Sequence, residues 1–277
     1  MGLRINTNAQ ALAAQRNLGM TTSAQRQSLE RMSSGSRINR AADDAAGLAI
    51  SEKMRAMLRS LKQDQRNAND GIAMIQTAEG AMNEMSNVLI RLRELSVQAS
   101  SDTISDVERG FIDKEVQVLR QEMDRVAEVT EFNGTKLLNG QGEAIQLQVG
   151  PNNNPELDRF YYQTSRTNIT SDNLGLTGIT VTSRDQAQGN LGKLDNAIKN
   201  LSESRAELGA LQNRLQSTYN SLTVYEENLA GARSRISDVD VASESAEMTK
   251  QSILAQAGVS VLAQANQNPQ LALKLMG

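Results

Sequence analysis

Residues 194–236 read LDNAIKN LSESRAE LGALQNR LQSTYNS LTVYEEN LAGARSR I, with an aliphatic residue at every seventh position. A heptad repeat sustained over this length predicts a coiled coil. The first half of the chain carries a matching stripe between residues 54 and 99. Each stripe needs an apolar partner, so we expect the two halves to form a long antiparallel coiled-coil rod. The predicted core residues are Leu61, Ile75, Met82, Leu89, Leu194, Leu201, Leu208, Leu215, Leu222 and Leu229.

The middle of the chain differs from the two halves in composition and in periodicity. A shorter amphipathic helix is indicated over residues 112–130, with Asp102 or Ser105 as its N-cap. Residues 132–185 are rich in Asn, Gly and Thr and alternate at 145–149 and 179–181, which predicts β-hairpins. We expect this insert at one end of the rod, where the chain reverses. The fold class is therefore mainly α, with a short β-hairpin region in the middle of the chain.

The composition excludes most catalytic and metal chemistry. The 277 residues include no His, Cys or Trp, and only three Phe and four Tyr. Without His or Cys there is no Ser-His-Asp or Cys-His nucleophile, no structural zinc site and no disulfide framework. The charges are interspersed and sum to −3, which leaves no footprint for nucleic acid. We expect neither an enzyme nor a cofactor or metal site.

Both chain ends are weakly apolar. No stretch approaches 18 uninterrupted apolar residues, and residues 1–8 lack the apolar core of a cleavable signal peptide. Residues 251–277 hold one charge, Lys274, but seven Gln and Asn side chains. Such a segment suits burial against other protein. We therefore expect the two ends to pair with each other and to be stably ordered only in an assembly.

Linear motifs in both halves resemble those of bacterial flagellins. They include RINTN at 4–8, LERMSSGSRINRAADDAAGLAIS at 29–51, NDGI at 69–72, FNGTKLLNG at 132–140, ENLAGARSRISDVD at 227–240, AEMTK at 246–250 and LAQANQ at 262–267. The resemblance covers almost the whole chain, in order. Because only about fifty residues separate the helical halves, the chain is similar to a minimal flagellin without large variable outer domains.

The resemblance implies a layered polymer. Residues 1–46 and 238–277 would form a terminal helical domain of the inner tube, and residues 47–237, with the 132–185 insert, a coiled-coil rod domain. The implied joint between layers contains Ser34, Gly35, Arg37, Asp43, Asp44 and Gly47, with both aspartates capping a helix start. Assembly through the terminal helices would use Ile5, Leu12, Val259, Leu262, Leu271 and Leu275.

The resemblance also implies partners and a location. The chain would be exported unfolded by the flagellar type III apparatus and would polymerise with its own copies in the extracellular flagellum. Further implied partners are the filament cap, the hook–filament junction proteins and an export chaperone on the C-terminal segment, with no membrane or nucleic acid. Arg91, Leu95, Gln98 and Glu115 match the patch that the animal Toll-like flagellin receptor engages, whereas Ile90 replaces a frequent Gln.

Two alternative functions share part of this pattern. A hook–filament junction protein has similar termini, but the signatures within residues 33–47 and 256–267 are intact here and favour the filament subunit. A coiled-coil binding module without a structural role would stay monomeric when seeded with filament fragments.

Overall fold

The computed structural model describes the backbone of residues 8–276 and the side chains of residues 8–267. Helices dominate this part of the chain, and its four short strands form two antiparallel hairpins, β1 with β2 and β3 with β4. The fold class predicted from the sequence is confirmed. The elements are α1 (Ala9–Ser34), α2 (Ala45–Ala99), α3 (Asp106–Val129), β1 (Glu131–Phe132), β2 (Thr135–Lys136), β3 (Ile145–Gln148), β4 (Arg159–Tyr162), α4 (Arg184–Ser237) and α5 (Val241–Met276).

The chain divides into two compact units. The terminal unit comprises Met1–Leu58 and Glu227–Gly277, and the central unit is Arg59–Glu226. The divisions fall inside α2 and α4. The reason is the extent of the core: Leu61 is the first buried apolar residue of α2, and Leu222 is the last of α4.

In the central unit, α2 and α4 run antiparallel. Arg93 Nε donates to Asp195 Oδ1 at 2.7 Å, and Gln65 Nε2 donates to Glu226 Oε2 at 2.8 Å, so residue numbers rise along α2 as they fall along α4. Nine of the ten predicted core residues are at most 8% exposed. The tenth, Leu229, is half-buried and belongs to the terminal unit.

Helix α3 begins after Ser105, one of the two predicted caps. The Ser105 N–H donates to Glu108 Oε2 at 2.8 Å and its hydroxyl accepts from the Glu108 N–H, which together make a capping box. The 24 residues of α3 span about 36 Å, so α3 covers only part of α2. A stretch of α2 is left for another element to cover.

The β3–β4 hairpin covers that stretch. Asn67 Nδ2 donates to the Gln148 carbonyl at 2.9 Å, which places β3 beside α2. Gly71 allows the close approach, because a Cβ there would lie 2.8 Å from Leu147 Cδ1 and 3.3 Å from Leu215 Cδ1. The expectation that the insert lies at one end of the rod is therefore wrong, since the hairpin packs along the helices and completes their core.

Residues 179–181 are not a strand, contrary to the sequence prediction. Their backbone groups bond to side chains of α3: Gln117 Nε2 donates to the Ile179 carbonyl at 2.7 Å, and the Val181 N–H donates to Asp113 Oδ1 at 2.8 Å. Ile179 and Val181 are buried. The apolar alternation thus arises from an irregular segment anchored on a helix.

Candidate functional site

The two terminal helices pair with each other, as the sequence predicts. Their orientation is antiparallel, because Asn8 Nδ2 donates to the Ala265 carbonyl at 2.8 Å, whereas Arg31 Nη1 lies 3.9 Å from Glu244 Oε2 near the other end. Among the described side chains of α1 and α5, Ala265 is the only apolar one that is buried. The pair therefore has almost no core of its own.

Large apolar side chains remain exposed on both helices. Between 46% and 61% of each side chain is accessible, in contrast to the buried heptad positions of the central unit. We call this set the terminal apolar surface: Leu12, Met20, Leu29, Val241, Ile253, Leu254, Val259 and Val261. On a helix pair that has almost no core of its own, these exposed side chains suit contact with other protein.

The predicted assembly residues fall partly on this surface. Leu12 and Val259 belong to it, and Leu262 is half-buried. Ile5 and the side chains of Leu271 and Leu275 lie outside the described residues.

The start of α2 has one aspartate cap. Asp44 Oδ1 accepts from the Gly47 N–H at 2.8 Å in the first helical turn. A Cβ at Gly47 would crowd that carboxylate and lie 2.8 Å from Ile38 Cδ1, so the close approach requires glycine.

Asp43 does not cap α2, contrary to the prediction. Its carboxylate accepts from the N–H groups of Arg40 and Asn39 at 3.0 and 3.1 Å, and from Gln27 Nε2 at 3.0 Å. Hydrogen bonds from the backbone of Arg40 and Asn39 lower the pKa of Asp43. Asp43 closes the connection between α1 and α2, because adjacent aspartates cannot both reach the same N–H groups.

The end of α1 is shaped for a sharp turn. Gly35 has a φ of +68°, a left-handed conformation that favours glycine after a helix. The Ser34 hydroxyl accepts from the Ser36 N–H at 3.1 Å.

The segment after this turn pairs with the segment between α4 and α5. The Arg37 N–H donates to the Ser237 carbonyl at 2.7 Å, and the Val239 N–H donates to the Gly35 carbonyl at 3.1 Å. The Arg37 guanidinium also donates to the Ile236 carbonyl at 2.8 Å. The two connections are thus held together by backbone and side-chain bonds.

A second candidate surface lies on α2 and α3. Arg91 Nε donates to Glu115 Oε1 at 3.0 Å, and Arg91 Nη1 donates to Glu94 Oε2 at 3.2 Å. These bonds, first that to Glu115, raise the pKa of Arg91. Gln98 is exposed nearby on α2. Leu95 is only 1% exposed, so the expectation that it shares this exposed face is wrong; it continues the buried stripe of α2.

Arg109 was missed by reasoning from the sequence. Its Nε donates to the Ala99 carbonyl and its Nη2 to the Ser101 carbonyl, both at 2.9 Å, and its Nη1 bonds Asp106 at 2.6 Å. The side chain is buried and holds the turn between α2 and α3. No sequence pattern distinguishes it from other arginines.

Along residues 8–276, none of the helices combines the length and the apolar character needed to cross a membrane. The same part of the chain brings no three His, Cys, Asp or Glu side chains together as a metal site.

Comparison with known proteins gives consistent matches. The model of the bacterial flagellin N-terminal helical region matches residues 5–143, and that of the C-terminal helical region matches residues 191–276. A flagellin of Halalkalibacterium halodurans is 44% identical over 274 residues, which cover 98% of this chain and 99% of the relative. The flagellar filament 33 kDa core protein of Treponema phagedenis is 42% identical over 288 residues, with 98% and 99% covered.

A solved structure also matches. The crystal structure of Bacillus cereus flagellin superposes with a TM-score of 0.51 at 29% identity, and the match covers 61% of this chain and 94% of that one.

Proposed function

This chain belongs to the bacterial flagellin family, and on that premise we propose that it polymerises through the terminal apolar surface. As a flagellin it is a structural subunit of the flagellar filament, which serves motility, and it is not an enzyme. The observation that carries the proposal is a contrast in burial: the central unit buries its heptad residues, whereas α1 and α5 bury one apolar side chain among those described, Ala265, and leave large ones exposed.

The energy available from this surface is large enough to drive assembly. About half of each of the eight side chains is exposed, so covering that half contributes about 1 kcal/mol apiece, or on the order of 10 kcal/mol per subunit. Open helical polymers arise when copies meet through two different patches that do not close into a ring. Surfaces on both α1 and α5 suit such head-to-tail contacts.

Seeded polymerisation followed by electron microscopy tests the proposal. The full-length chain is expected to extend flagellar fragments into long filaments, and a chain truncated after Gln251 is expected to stay monomeric. Far-UV circular dichroism checks that the truncated chain keeps its central unit folded. Equal polymerisation of both chains would refute the proposal. A junction protein would bind the fragment ends without extending them.

A smaller change provides a matched pair of variants. Val259→Ser removes one side chain of the terminal apolar surface, and Val107→Ser removes an apolar side chain of the central unit that is 70% exposed. Slower elongation is expected for Val259→Ser than for Val107→Ser. The reverse order would count against the terminal unit as the main contact.

The proposal also covers export of the subunit and the proteins that contact its terminal helices. The subunit passes unfolded through the flagellar type III apparatus to the extracellular flagellum, a chaperone covers the C-terminal segment beforehand, and the cap and junction proteins contact the same terminal helices. Exposed Ile253, Leu254 and Val261 support this, because an uncovered apolar helix is prone to aggregate. The purified chaperone is expected to suppress aggregation of the full chain and to have no effect on the chain truncated after Gln251.

The second surface suits recognition of the monomer by the Toll-like flagellin receptor. Arg91 and Glu115 form an ion pair with both side chains nearly half-exposed, and exposed Gln98 extends the surface. In this proposal Leu95 supports the helix from within the core. Charged and polar groups at a rim guide binding, and an arginine is a frequent anchor.

A receptor-reporter cell line tests this part. Arg91→Ala with Glu115→Ala is expected to lower the response at least tenfold, whereas Arg93→Ala, which removes an arginine from the same helix, is expected to leave it unchanged. Ile90→Gln is expected to raise the response. A double variant as active as the parent would overturn the assignment.

A further inference from the structure

We propose that the paired connections act as a register clamp, residues 35–37 against residues 236–239, which sets the alignment of α1 with α5, and that Arg37 is its positioning residue. The inference deepens the proposed function and rests on it, because the alignment of α1 with α5 sets where the α5 part of the terminal apolar surface lies relative to the α1 part.

Arg37 is placed to hold the end of α4. The last four carbonyl groups of a helix lack partners within it, and the negative end of the helix dipole attracts a cation. Arg37 satisfies two of these groups, the Ile236 carbonyl with its guanidinium and the Ser237 carbonyl with its N–H. One residue therefore binds the connection before α2 to the connection before α5.

The clamp and the contact between Asn8 and Ala265, at the far end of the helix pair, agree with a single register of α1 against α5. Ser36 pairs with Asp238 in an antiparallel bridge, and Asn8 bonds the Ala265 carbonyl. The step from Ser36 back to Asn8 is 28 residues, and the step from Asp238 forward to Ala265 is 27. A helix pair that extends from the clamp without slipping thus arrives at the observed contact.

The helix faces themselves discriminate weakly between registers. Ala265 is the only buried apolar side chain among the described residues of α1 and α5, and a small side chain loses little on sliding. A slip of one turn moves α5 by about 5.4 Å along α1. It would displace the α5 part of the terminal apolar surface by the same distance, so neighbouring copies would meet a mismatched surface.

Disulfide trapping in the full-length monomer tests the register. The chain contains no cysteine, so an introduced pair forms the only disulfide. A Cβ at Gly258 would lie 3.8 Å from Leu18 Cβ, which is the mean separation in disulfides. Leu18→Cys with Gly258→Cys therefore reports the native register. Leu18→Cys with Leu254→Cys reports a slip of four residues, about one turn.

Arg37→Ala is expected to slow formation of the native disulfide about tenfold and to accelerate the slipped one, the effect of losing one charge-assisted hydrogen bond. Arg37→Lys keeps the charge and is expected to restore part of the native rate. Arg40→Ala is the matched control, because Arg40 lies in the same connection but bonds Glu30 at 3.0 Å and not the α4 end. It is expected to behave as the parent.

The outcomes separate the clamp from the wider proposal. Equal native rates in the parent and in Arg37→Ala would overturn the clamp even if both chains polymerise. A tenfold loss together with slower seeded elongation supports it. If the parent itself fails to elongate while its native disulfide still depends on Arg37, the clamp stands and polymerisation through the terminal unit fails.

Discussion

The phenol of Tyr162 is buried in the central unit and makes this region sensitive to alkaline pH. Tyr162 is 1% exposed, its hydroxyl donates to the Leu137 carbonyl at 2.8 Å, and Thr167 Oγ1 lies 2.9 Å from its oxygen. Burial raises the pKa of Tyr162 to about 12 from its usual 10.0, and the hydrogen bond from Thr167 opposes this in part.

The direction of the pH dependence follows from the protonation state of Tyr162 that the fold prefers, which is the neutral phenol. Because the folded pKa is the higher one, the contribution to stability is complete below pH 10 and is lost as the pH rises towards 12. A shift of about two pKa units corresponds to about 2.7 kcal/mol, of which about half is lost by pH 11.

Tyr162→Phe removes this dependence at a small cost. At pH 7 the variant is expected to be about 1 kcal/mol less stable, because it loses the hydrogen bond from the phenol to Leu137, and the Thr167 hydroxyl, 3.0 Å from the Leu137 carbonyl, turns to donate to that carbonyl instead. The two stabilities should therefore cross near pH 11, above which the variant is more stable than the parent.

Guanidinium unfolding, followed by far-UV circular dichroism from pH 7 to 12, measures the difference. Other groups also titrate in this range, but their effects cancel when two chains are compared at the same pH. Tyr161→Phe is the matched control, since Tyr161 is the next residue on β4 and is 40% exposed. It should follow the parent at every pH. A difference between Tyr162→Phe and the parent that stays constant to pH 12 would refute the reasoning.

Three further changes have defined outcomes in thermal unfolding. Asp64→Asn should raise the Tm at pH 7, because burial and nearby Asp158 raise the pKa of the Asp64 carboxyl and so disfavour its charged form. Its Oδ2 also finds no hydrogen-bond partner among the described residues. The gain in Tm should vanish below pH 3.8, where the carboxyl is neutral in the folded and the unfolded chain. Gly47→Ala should cost about 1–3 kcal/mol despite the better helix propensity of alanine, because its Cβ would meet Ile38; an unchanged or higher Tm contradicts this. Ser105→Ala should cost about 1 kcal/mol through loss of the capping box, and Ser105→Thr should restore most of it.

The sequence-based predictions that are wrong share one physical cause, which is that contacts with distant parts of the chain decide the outcome. Residues 179–181 alternate like a strand, yet their hydrogen bonds go to side chains of α3 that no local pattern reveals. Leu95 lies beside charged residues, and whether it faces the core depends on where α3 packs. Asp43 and Asp44 are chemically equivalent in sequence, and only the backbone path decides which one caps α2.

The sequence by itself determined the helices, their antiparallel pairing, Ser105 as one of two candidate caps of α3, and the resemblance to flagellins. These features are local or periodic, because a heptad or a capping box is complete within a few turns. Only the tertiary structure decided that β3 and β4 lie along α2, that Arg109 holds the turn after it, and that Arg37 joins the two connections. Each of these contacts links residues whose partners are set by the course of the whole chain. Side-chain bonds to distant carbonyl groups leave no periodic trace in the sequence.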